Sequence, residues 1–93
     1  MQFSEKLVWE SVYAFMPNLK TARMQGVDFN LPSVLKSAAV EAFMVYDSIN
    51  PSSDEYLYAC IIRRTLKELQ DPGWMTFGHI NNIDDARHMG AYN

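Results

Sequence analysis

Two histidines and a single cysteine are the side chains most suited to chemistry, and their spacing is where a reading of this sequence starts. His79, Asp84 and His88 fall within ten residues of one another. Asp84 and His88 stand four apart, one turn of helix, so both could face one ion, with His79 folding back as a third ligand. The spacing matches no established metal signature. The economical reading makes Asp84 a first-turn acid and His88 a last-turn base, each complementing a helix dipole. The sequence therefore predicts neither a metal site nor any other cofactor.

Cys60 is the one candidate nucleophile. It sits mid-helix beside Ile61, away from the helix N-terminus that would lower a thiol pKa. Nothing in the sequence brings a histidine to it. No context pairs two carboxylates for hydrolysis. The glycines at 26, 73, 78 and 90 are too scattered for a phosphate-cradling loop. A catalytic role is not expected.

The stretch "KTARMQGV" (20–27) resembles the middle of a phage-repressor type of helix-turn-helix, with Ala22, Gly26 and Val27 at the small, turn and apolar positions. Such a resemblance implies a recognition helix beginning at once. Here Gln25 stands where the motif packs an apolar residue inward. Pro32 falls inside the would-be second helix, where it would cost about 3 kcal/mol. Gly26 is expected instead to end a short helix, leaving Lys20 and Arg23 as surface charges.

Two helical faces carry information beyond chemistry. In the segment from Pro32 to Ser48, Lys36, Ser37, Glu41, Asp47 and Ser48 define a polar arc at about 100° per residue. Val40 and Met44 fall at its centre. Burial nearly all round in a central helix is the economical explanation. The sharper one exposes both side chains to a protein partner or a second copy. In the segment from Ser53 to Gln70, Leu57, Ile61, Thr65 and Leu69, flanked by Tyr58, Ile62 and Leu66, form the inner side. Opposite runs an expected exposed stripe of Tyr56, Cys60, Arg63, Arg64 and Lys67. It suits an acidic protein surface or phosphate groups, or simply complements the helix dipole and i,i+4 acids.

The elements that position these residues are punctuated by proline and glycine. Helices are predicted over about 4–16, 18–25, 32–48, 53–70 and 82–89. Ser4, Asn18, a Ser52/Glu55 capping box and Asn82 are the expected start signals; Gly26 and Gly90 are expected stops. Val27, Phe29 and Leu31 in the connector are expected to tuck inward. Trp74 and Phe77 are expected to plug an open end. Only "WMTFGHI" (74–80) hints at a strand. The fold class predicted is all-α, a bundle of four to five helices in one domain spanning residues 1–93.

Composition narrows the function classes. The 93 residues are 48 % apolar, enough for a core and unlike a disordered chain. The net charge of -3 comes entirely from residues 47–93, with seven acidic and four basic side chains. That is the wrong overall sign for a dedicated nucleic-acid binder. A lone cysteine excludes an internal disulfide and fits a reducing, cytoplasmic location. The first residues carry no signal-peptide pattern, and the longest apolar run, "AFMVY" (42–46), falls far short of the roughly 20 residues a membrane span needs.

Together these features predict a non-catalytic protein-interaction module: a regulator, adaptor or inhibitor that occludes a partner, of a size common among phage and mobile-element proteins. The surfaces expected to carry it are Val40 with Met44 and the Tyr56/Arg63/Arg64/Lys67 stripe, with self-association as one use of the former. The alternative is a nucleic-acid binder using Lys20, Arg23, Arg63, Arg64 and Lys67.

Overall fold

Five helices organise the chain in the computed structural model, which describes residues 2–74 and 76–92. They are α1 (Glu5–Phe15), α2 (Pro17–Met24), α3 (Leu31–Val45), α4 (Asp54–Glu68) and α5 (Ile83–His88), with a one-turn 3₁₀ helix, Tyr46–Ser48, continuing α3. The all-α prediction holds. No helix is long and apolar enough to cross a membrane, among the described residues.

Local chemistry sets most boundaries. Ser4 caps α1, its hydroxyl accepting from the Leu7 amide at 3.1 Å. Asn82 caps α5, accepting from Asp85 N at 2.8 Å while its amide donates to the Asp85 carboxylate. Gly26 follows α2 and Gly90 follows α5, both at positive φ (93° and 80°), the left-handed backbone that ends helices.

Two start signals differ from expectation. Pro17 opens α2 at its first turn, so Asn18 is not a cap; a proline there forgoes only an amide that has no helical partner. α4 is capped by Ser53, whose hydroxyl accepts from Tyr56 N at 3.2 Å. Ser52 is instead held by the Asn50 side chain, which accepts from both its amide and its hydroxyl. For α3, Asn30 supplies the cap and Pro32 lies in the first turn.

The core lies between α1, α3 and α4. Leu7, Val8 and Val12 of α1 meet Leu35 and Ala38 of α3 and Leu57, Ile61 and Ile62 of α4, all essentially solvent-free. The alanines at 38, 39 and 42 let α3 approach closely. α2 packs against α1, and α5 lies on α4. Phe29 and Leu31 tuck inward as expected, but Val27 is exposed, carried outward by the turn at Gly26. Trp74 and Phe77 pack half-buried against the core.

The segment 76–80 forms no strand. One isolated parallel bridge joins Phe3 to Ile80, with Ser4 N donating to Ile80 O at 2.9 Å and Gly78 N to Phe3 O at 3.1 Å. A Cβ at Gly78 would lie 2.3 Å from Gln2 Cβ, so only glycine fits that approach.

Candidate functional site

The outward face of α3 departs from what an isolated small fold needs. Its inner side is spent on Leu31, Val34, Leu35, Ala38, Ala39 and Ala42. Val40 and Met44, at the centre of the outer face, are 60 % and 77 % exposed, and Phe43 beside them is 45 % exposed. Burial nearly all round is therefore the wrong explanation for these residues. α3 packs on α1 and α4 through its inner residues, while Val40, Phe43 and Met44 remain exposed. Three large apolar groups so placed leave an uncovered patch of roughly 300–400 Å², the size at which a patch on a monomer is often functional.

The patch continues onto the 3₁₀ turn. Phe43 meets Tyr46 edge to face, with centroids 6.4 Å apart. Phe43, Tyr46, Asp47 and Arg63 line a shallow cleft of about 310 Å³. The Arg63 guanidinium stands 5.8 Å from the Tyr46 ring centroid, within cation–π reach. Behind the cleft Tyr46 stacks on Tyr56 at 5.0 Å, and Tyr56 stacks on Tyr92 at 6.3 Å. The Tyr46 hydroxyl donates to that of Tyr56 at 2.7 Å. This hydrogen bond, together with burial and the Cys60 thiol 4.0 Å away, pushes the Tyr46 pKa up to about 12; Arg63 opposes the shift weakly.

The tyrosine stack overturns the expected exposed stripe on α4. Cys60 is fully buried under it and has no disulfide partner. Tyr56 is half-buried between two rings. Arg63 is partly covered, its Nη2 donating to the Tyr92 carbonyl at 3.5 Å. Arg64 is half-buried and close enough to Glu68 to favour that carboxylate's charge, although burial holds the Glu68 pKa above its ordinary value. Lys67 alone of the five is exposed. The stripe is covered because the chain after α3 and the chain after α5 both fold over it. Arg87 of α5 secures the second of these, pairing with Asp54 at the start of α4 and donating to the Tyr92 hydroxyl at 2.8 Å.

A second polar–aromatic cluster lies across α1 and α2. The Arg23 guanidinium sits 3.7 Å from the centroid of the Trp9 ring and donates to the Tyr13 hydroxyl at 2.5 Å. Arg23 is therefore not a free surface charge; Lys20, next to it, is exposed. The Trp9 indole Nε1 is buried with no hydrogen-bond partner among the described residues. Glu5, Lys6, Glu10 and Lys20 rim the adjoining groove, so its charge is mixed. The five cations of the nucleic-acid alternative are thus divided, with Arg23 held on Trp9 and Arg63 held beside Tyr46 and Tyr92.

His79, Asp84 and His88 do not come together: no metal-holding group of three His, Cys, Asp or Glu side chains exists among the described residues. The chain reaches α5 through Ile80, which is pinned to Phe3, and this fixes His79 outside the helix that carries Asp84 and His88.

Sequence reasoning reached Val40 and Met44 from their place in the polar arc but missed Phe43, Tyr46 and Tyr92. Phe43 stands three residues after Val40, a spacing that puts both on one side of the helix. Tyr92 had no sequence signal, because it arrives through the tertiary path of the C-terminal segment. Comparison with protein-family models, with curated proteins and with solved structures gave no match.

Proposed function

We propose that this protein is a small non-catalytic interaction module, a regulator, adaptor or inhibitor, that occludes a partner through the outer face of α3 and the cleft beside it. The observation that carries the reading is the exposure of Val40, Phe43 and Met44 in mid-helix, next to Tyr46 and Arg63. Aromatic residues, Met and Arg are the types enriched at the centres of protein interfaces. A thioether side chain adapts its shape to whatever it meets. Polar residues at Lys36, Ser37, Glu41 and Asp47 supply the rim.

The test is capture of a partner from a lysate of the source cells on immobilised protein, comparing wild type with Met44→Glu. Met44 touches solvent over most of its surface, so the variant should keep its far-UV circular dichroism. The expected result is a defined captured protein, lost at least tenfold in Met44→Glu. Capture indifferent to Met44 overturns the reading. Salt-sensitive retention on DNA, abolished by Lys67→Glu, favours the nucleic-acid alternative instead.

A further inference from the structure

We infer that the α3 face binds a second copy of this chain, as an antiparallel pair of α3 helices related by a two-fold axis. The inference rests on the docking role given to this face and names its occupant.

The order of residues along the stripe sets the register of this pairing. At about 100° per residue, Lys36, Val40 and Phe43 fall within a narrow sector of the outer face of α3, with Met44 beside Val40; Asp47, in the 3₁₀ turn that continues the helix, lines the cleft next to Phe43. All five are exposed. The stripe begins with a cation and ends with an anion, and its middle is apolar. The midpoint of Lys36 and Asp47 lies between residues 41 and 42. So does the midpoint of Val40 and Phe43. A two-fold axis through that point lays Lys36 against Asp47 of the second copy, and Val40 against Phe43 of the second copy, each twice. The face is complementary to itself in charge and in apolar character at one register. A parallel pairing would set Lys36 against Lys36 and Asp47 against Asp47, with like charges opposed at both ends.

Size sets the strength. Each copy offers roughly 300–400 Å² of apolar surface plus a polar rim, below the ~800 Å² per partner of a standard interface. The protomer also closes its own core: Leu35, Ala38, Leu57 and Ile61 are buried without help from a second chain. The dimer is therefore a reversible association of folded protomers, with a dissociation constant expected between about 10 µM and a few hundred µM.

Sedimentation equilibrium on the full chain, from about 5 to about 500 µM at low salt, tests this. The mass should rise from that of the 10.7 kDa protomer toward twice that value. Lys36→Glu and Asp47→Lys should each raise the dissociation constant about tenfold, since each turns two attractive contacts into repulsive ones. The double variant, with both charges exchanged, should return to within about threefold of wild type. Circular dichroism shows that the variants remain folded. A protomer mass throughout the range overturns the dimer, and so do single effects that add in the double variant instead of cancelling. Either result leaves the docking reading to be decided by Met44-dependent lysate capture, so failure of the dimer is distinct from failure of the interaction module.

Discussion

Arg23 joins two helices through one aromatic face. Its guanidinium carbon lies 3.7 Å from the Trp9 ring centroid, and the same group donates to Tyr13. A cation over an indole contributes about 0.5–1 kcal/mol at an exposed site and about 2 when desolvated. Half-burial places Arg23 between these limits. Arg23→Ala should lower unfolding stability by about 1 kcal/mol in urea titration. Arg23→Lys should recover only part of this, because a point charge cannot stack as a plane. Tyr46 gives a pH prediction. Its pKa is about 12 in the fold against 10.0 as a free side chain, so the folded chain holds the phenolic proton more tightly than the unfolded one. The stabilisation is complete below pH 10 and is lost as pH rises from 10 toward about 12. Chemical denaturation at stepped alkaline pH should show this fall, and Tyr46→Phe should flatten it. Absorbance at 295 nm should show a late phenolic ionisation, approaching pH 12, that Tyr46→Phe removes.

Most element ends that depend on neighbours in the chain were legible in the sequence, the starts of α2 and α4 excepted. Ser4, Asn82, Gly26 and Gly90 each act over three or four residues, and each was readable. The choice between Ser52 and Ser53 was not, because it turns on Asn50 engaging Ser52 first. Nor was the burial of Cys60 and Tyr56, which depends on Tyr46 and Tyr92 arriving from other parts of the chain. Val40 and Met44 were legible as an anomaly. Whether they were buried depended on which helices α3 packs against, and helical period carries no such information. The glycines show the same division. At Gly26 the strain is local: φ is 93° and a Cβ would meet nothing, so Gly26→Ala should cost about 1 kcal/mol from backbone conformation alone. At Gly78 the constraint is tertiary. A Cβ would press on Gln2 at 2.3 Å, so Gly78→Ala should cost about 2 kcal/mol and loosen the Phe3–Ile80 bridge. Hydrogen exchange should find the Ser4 amide less protected in Gly78→Ala and unchanged in Gly26→Ala.

At the scale of the whole molecule, the proposed docking face lies on the side of α3 opposite the one that folds into the core, so folding and docking should respond to mutation independently. The radius of gyration is 12.5 Å, against about 12 Å expected for a compact chain of this length. Ile61 is fully buried where α4 meets the core, and Ile61→Ala should cost about 3 kcal/mol through lost burial and the cavity left behind. Met44 is 77 % exposed and makes little use of the core. At protein concentrations of a few µM, Met44→Glu should shift unfolding stability by no more than about 0.5 kcal/mol. At several hundred µM the two proteins should diverge. The proposed dimer would form only from folded protomers, so the wild type should gain apparent stability from mass action and Met44→Glu should gain none. Thermal unfolding at both concentrations reads this directly: a melting temperature that rises with concentration in wild type and stays fixed in Met44→Glu. If Met44→Glu melts well below wild type even when dilute, α3 needs that side chain for the fold itself, and the separation of a folding side from a docking side fails.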